Sequence, residues 1–94
     1  MLKLVVTHKF KKGYKLCQKR HLDVSLIDNL IELLLNEKPL PKEYNDHPLK
    51  GNYSGYRECH IGGARSNWLL IYKIKNDILT LTLAYIGTHS DLLE

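Results

Sequence analysis

The chain has little of what would mark it as secreted, metal-binding or membrane-spanning. It holds only two cysteines in 94 residues, and Cys17 and Cys59 have neither redox nor metal-ligand spacing. No leader with a charged start, an apolar run and a cleavage site precedes the first strand-like segment, so the cysteines are expected reduced and buried, in a cytoplasmic protein. No apolar run approaches the roughly 18 residues that a membrane helix needs. Proline is confined to Pro39, Pro41 and Pro48. Repeats, linkers and low-complexity tracts are missing too, and the length fits a single domain over residues 1–94.

Acid is also missing from the first twenty residues. They carry Lys3, Lys9, Lys11, Lys12, Lys15, Lys19 and Arg20, seven positive charges, against a net +4 for the whole chain. Residues 21–50 have six acids and three lysines, and the remainder balances four against four. A basic amino-terminal segment suits an anionic polymer, with Lys11 and Lys12 as candidate contacts; a solvated helix face explains the charge equally well.

The hydrophobic pattern predicts an α+β fold. Leu2 to Thr7 reads as a first strand, with Thr7 as cap for a helix from His8 to Arg20. Phe10, Gly13, Tyr14 and Cys17 form its apolar stripe; Gly13 costs about 1 kcal/mol against alanine, so the helix must lean on tertiary contacts. Ile27, Leu30, Ile31, Leu34 and Leu35 define a second helix over Val24 to Asn36. Ser25 with Asp28 resembles a capping box, and Asp23 is the competing cap. Leu40 to Asn52 reads as loop. Three strands follow, Tyr53–Ile61, Trp68–Lys75 and Ile78–Ile86, joined by a loop at Gly62–Ser66 and a two-residue turn at Asn76-Asp77. In the last strand, period two places Leu79, Leu81, Leu83 and Tyr85 on one face and Ile78, Thr80, Thr82 and Ala84 on the other. The architecture expected is a strand, a two-helix hairpin, then an antiparallel three-stranded meander, with the helices on one face of a twisted sheet.

The candidate chemistry lies in Asp46–His60, DHPLKGNYSGYRECH, together with His89 in GTHSDLL. Cleavage of RNA without metal needs a base for the 2′-hydroxyl proton, an acid for the leaving 5′-oxygen and a cation for the phosphate. Histidine suits the first two roles and arginine the third. His47, His60, His89, Arg57 and Lys50 contain that set. No local zinc spacing is present, and no cofactor is implied. His8 and His21 receive no role. A regular strand over Tyr53–Ile61 would put Arg57 and Cys59 on one face and Glu58 and His60 on the other, so Arg57 and His60 share a site only across a bulge or strand end.

These residues resemble the YafQ-like branch of the RelE/ParE toxin superfamily. The likeness is carried by KLCQKRH, PLPKEYNDHPLKGNYSGYRECHI, WLLIYKI and GTHSDLL, and runs end to end. It implies a small microbial-ribonuclease-like fold and a toxin of a type II toxin–antitoxin pair. Such a toxin cuts translated mRNA in the ribosomal A site by metal-independent 2′-hydroxyl attack. It implies an antitoxin partner, besides the ribosome and mRNA. It maps functional roles to His47, His60 and His89, a phosphate-binding role to Arg57, and a base-stacking or core role to Trp68. Asn67 stands where relatives often have aspartate, and it cannot act as a base; Leu93 stands where an aromatic is common. A toxin-fold protein that binds antitoxin without cutting RNA, and a ParE-like gyrase poison, are the alternatives.

Overall fold

Thr7 is where strand becomes helix. A computed structural model of the chain, describing residues 1–63 and 66–88, places β1 at Lys3–Val6 and α1 at His8–Lys19. The Thr7 side chain accepts from the Phe10 N–H at 3.1 Å, satisfying a donor that the first helical turn leaves orphaned. Its hydroxyl also donates to the Ala84 carbonyl at 2.8 Å, so the same residue ties α1 to the last strand. Helix α2 spans Val24–Leu35 and is capped by Asp23, which accepts from Ser25 N–H at 3.0 Å. The competing cap therefore wins over the Ser25–Asp28 box, and Asp28 instead takes a hydrogen bond from the Tyr14 hydroxyl at 3.1 Å. Both helices stop without glycine. His21 and Glu37 turn left-handed (φ 61° and 53°), and Leu22 and Lys38 bond back to the Cys17 and Leu33 carbonyls, closing Schellman motifs.

The sheet has five strands in the order β1-β5-β4-β3-β2, where β2 is His47–Pro48, β3 Arg57–His60, β4 Trp68–Lys75 and β5 Thr80–Thr88. β1 pairs parallel with β5, and the other pairings are antiparallel. The expected meander is present, extended by a strand at each edge. Apart from ends shifted by one or two residues, the boundaries differ from the sequence reading in three places. The pair His47–Pro48, read as loop, pairs with Arg57 and Glu58. Residues Gly51–Tyr53 form a 3-10 turn, so β3 starts at Arg57 and not at Tyr53. The turn between β4 and β5 is a 3-10 turn over Asn76–Ile78 with Leu79 left-handed (φ 48°), leaving Ile78 and Leu79 exposed.

One face of the sheet is covered. Phe10, Cys17, Ile27, Leu30 and Leu34 from the helices meet Cys59, Leu70, Tyr72, Leu81, Leu83 and Ile86 in a continuous core. β1 ends at Val6, and α1 continues along the edge of β5 that β1 leaves uncovered. The approach is so close that a Cβ on Gly13 would overlap the Ile86 carbonyl oxygen. The glycine that weakens the helix is what lets it seat against the strand.

β5 does not keep period two. Ile71 pairs with Tyr85 but Tyr72 pairs with Leu83, so Ala84 is an extra, bulged residue. Before the bulge Leu81 and Leu83 face the core; after it, Ile86 does. Tyr85 and Gly87 therefore turn to the opposite face, together with Thr80 and Thr82; it is open only at its margins, since Leu69, Ile71 and Tyr85 at its centre are buried. This corrects the expectation that Tyr85 shares a face with Leu81 and Leu83. The Ala84 carbonyl is the one that Thr7 satisfies.

Candidate active site

β3 is a regular four-residue strand, so its side chains alternate. Cys59 lies in the core and Arg57 on that same helix-covered face; Glu58 and His60 point to the open face. On the neighbouring strands, Glu58 lies level with Ile71 and Tyr85, and His60 with Leu69 and Gly87. His47 is level with Glu58 on the other side.

His47, Glu58 and His60 thus form a group. His47 Nδ1 lies 2.6 Å from the Asn45 carbonyl oxygen, and His60 Nδ1 lies 3.0 Å from the Ser66 carbonyl oxygen. A carbonyl only accepts, so each Nδ1 carries the proton and donates it, and each Nε2 carries the lone pair of the neutral ring. His47 Nε2 is 3.5 Å from a carboxylate oxygen of Glu58. Glu58 is a buried acid, at 6% exposure; with the Nδ1 proton on the Asn45 carbonyl, Nε2 and the carboxylate attract one another only when a proton lies between them. Two imidazoles with fixed tautomers beside one carboxylate can take and return protons. Glu58 was not singled out from the sequence, although period two had already put it beside His60.

Arg57, which a regular strand was expected to set apart from His60, does lie on the other face of the sheet. Its Nε donates to both carboxylate oxygens of Asp46 at 3.2 and 3.3 Å, and the Tyr72 hydroxyl donates to the same carboxylate at 2.7 Å. The Asp46 bond raises the Arg57 pKa above its ordinary value. Burial, then the Asp46 bond, pushes the Tyr72 phenol up. Burial also drives the Cys59 thiol up to about 12, so it stays protonated and inert. Both cysteines are buried, as expected. The physical reason for the Arg57 placement is the unbroken alternation of β3: the strand has no bulge between Arg57 and His60 to bring them together.

The other expected contacts are dispersed. Trp68 packs against the helix-face core, with the Arg20 guanidinium over its ring at 5.8 Å. Asn67 is exposed just before β4, and Lys50 is exposed where the Gly51–Tyr53 turn begins. Lys11 and Lys12 lie on the solvent side of α1, next to His8 and Lys15. His89 and Leu93 lie outside the described residues. No metal-ligand cluster occurs among the described residues.

Sequence reasoning missed Tyr85. Its ring lies over Gly87, where a Cβ would overlap the phenol oxygen, and its hydroxyl donates to the Thr88 carbonyl at 3.2 Å. The signal was present: in ILTLTLAYIG the apolar phase slips by one between Leu83 and Ile86.

The family model for the bacterial toxin of type II toxin-antitoxin system, YafQ, matches residues 2–94. The chain belongs to the YafQ family. It is 42% identical over 84 residues to the mRNA interferase toxin YafQ of Escherichia coli K12, covering 88% of this chain and 86% of that protein. The crystal structure of YafQ from E. coli BL21(DE3) superimposes with a TM-score of 0.88 at 36% identity, over the full length of both chains. The E. coli DinJ–YafQ complex gives 0.87 at 37% identity, again over both full lengths. The YafQ-type α+β fold expected from the sequence is therefore the fold found. No helix among the described residues is long and apolar enough to cross a membrane.

Proposed function

We propose that this YafQ-family chain is a type II toxin that enters the ribosomal A site and cuts translated mRNA, and that it works in the cytoplasm. The observation that carries the reading is the open-face group of His47, Glu58 and His60. One imidazole takes the proton of the 2′-hydroxyl through Nε2 as O2′ attacks phosphorus. The P–O5′ bond breaks, an acid protonates the departing 5′-oxygen, and the products are a 2′,3′-cyclic phosphate and a free 5′-hydroxyl. His60 is assigned as base and His89 as the acid. His47, held between the Asn45 carbonyl and Glu58, holds the Glu58 carboxylate in place on the face that His60 shares. Lys50 contacts the phosphate. Arg57 is assigned to holding Asp46, the residue before His47, in place.

An antitoxin neutralises the toxin, as DinJ accompanies YafQ in the E. coli complex. The acid-free face of α1 offers it a basic surface. Primer extension on reporter mRNA from a translating extract tests the reading. Discrete in-frame cuts that require ribosomes, and that vanish with His60→Ala, are expected; an intact transcript with wild-type protein contradicts it.

A further inference from the structure

The open face carries a second set of side chains, which the histidine chemistry does not use. Lys9, on the first turn of α1, reaches over the Tyr85 ring at 5.5 Å and its ammonium lies 3.4 Å from the Tyr53 hydroxyl. The Tyr53 ring meets Tyr56 edge-on, with centroids 6.1 Å apart. The Lys73 ammonium sits over the Tyr56 ring at 5.1 Å. Lys73 follows Tyr72 on β4, so alternation puts it on the open face, two residues along from Ile71. A strip in the order lysine, tyrosine, tyrosine, lysine thus runs from α1 to β4 on the histidine side of the sheet.

The strip is built in advance. Tyr56 N–H bonds to the Tyr53 carbonyl at 2.9 Å, Leu49 N–H to the Tyr56 carbonyl at 2.9 Å, and Ser54 N–H to the Gly51 carbonyl at 3.0 Å. Gly55 at φ 92° supplies the backbone turn that sets the two rings edge to face, and it lies against the Lys73 ammonium. Neither Lys9 nor Lys73 is ion-paired with a carboxylate among the described residues. The aromatic side chains are phenols, half-buried and half-open, which suits a stacked base better than an apolar protein segment.

We infer that the Lys9–Tyr53–Tyr56–Lys73 strip seats single-stranded RNA next to the histidine group, its tyrosines stacking a base and its lysines holding the flanking phosphates. The inference rests on the ribonuclease reading. Aromatic faces accept any base, and cations over ring faces lose little freedom when they take up phosphate, so the strip contributes grip and register with little sequence preference. It fixes which side of the histidine row the mRNA crosses.

The test uses ribosomes programmed with mRNA and measures KM and kcat for cleavage by wild type, Tyr53→Leu, Tyr56→Leu, the paired Lys9→Gln/Lys73→Gln variant, and the two Tyr→Phe variants. Melting temperatures establish that each is folded. Each leucine variant and the lysine pair should raise KM about tenfold with kcat within twofold, while the phenylalanine variants, which keep the ring, stay near wild type. Wild-type cleavage with unchanged KM in the leucine and lysine variants overturns the strip and leaves the ribonuclease reading intact. Unchanged KM with weakened antitoxin binding also overturns it, and reassigns the strip to the protein partner. No cleavage by folded wild type overturns the ribonuclease reading and the strip with it.

Discussion

On the helix-covered face of the sheet, Arg57 is tied to Asp46, Tyr72 shares that carboxylate, Cys59 is sealed in the core, and Trp68 lies under Arg20. On the open face, one residue further along the same strands, stand Glu58, His60, Tyr85 and Lys73. The first set is held by side chains that satisfy one another, although the Arg57 side chain is still 43% exposed. The second has both histidine Nδ1 atoms on backbone carbonyls, with His47 Nε2 turned to Glu58. On the proposed ribonuclease reading, RECH in β3 is two messages interleaved at period two, Arg57 and Cys59 for structure and Glu58 and His60 for the reaction.

The contrast is broken most sharply at His60. His60→Ala should lower the cleavage rate at least about a hundredfold, the ordinary loss for a general acid or base. Its urea midpoint should stay close to wild type, because the ring is half-buried on the open face. A next test strikes the element that serves both faces. Gly13→Ala forces α1 off the edge of β5, and overpacking of this kind costs about 1–3 kcal/mol, read as a lower urea midpoint.

The helix face answers with smaller, purely structural effects. Tyr72→Phe removes a 2.7 Å donor from a half-buried carboxylate and should cost about 1–2 kcal/mol, with cleavage unchanged where the variant is folded. The buried thiol gives a pH signature. Cys59 holds its proton to about 12 in the fold, against an ordinary thiol value of 9.0, so the unfolded chain loses that proton first. Its contribution is complete below pH 9 and is lost as pH rises toward 12, and Tyr72 acts in the same direction from pH 10. The unfolding free energy from urea titrations should be flat through pH 8 and lower by about 1–2 kcal/mol at pH 10. A rise in stability there contradicts the burial of these groups.

Much of this was legible in the sequence, and the parts that were not have physical causes. The two helices follow from their apolar stripes. Period two alone separated Arg57 from His60. The two-residue strand β2 carries no periodicity to read, since two residues cannot alternate. The edge pairing of β1 with β5 joins residues nearly eighty apart, and nothing local encodes it. The bulge at Ala84 depends on Thr7 and on the neighbouring strand, so one residue's excess flipped Tyr85 to the face opposite the helices. The lysine–tyrosine strip was invisible for a similar reason: Lys9, Tyr53, Tyr56 and Lys73 come from three separate segments.

The central claim is the division of labour across β3, and the most direct measurement sets Arg57→Ala beside His60→Ala. Both are assayed for ribosome-dependent cleavage by primer extension, at a temperature where circular dichroism shows each folded. Arg57→Ala breaks a half-exposed pair and should lose about 0.5–1 kcal/mol of stability while cutting within a few-fold of wild type. His60→Ala should leave the transcript whole. A folded Arg57→Ala protein as silent as His60→Ala would place the arginine in the chemistry and contradict the account.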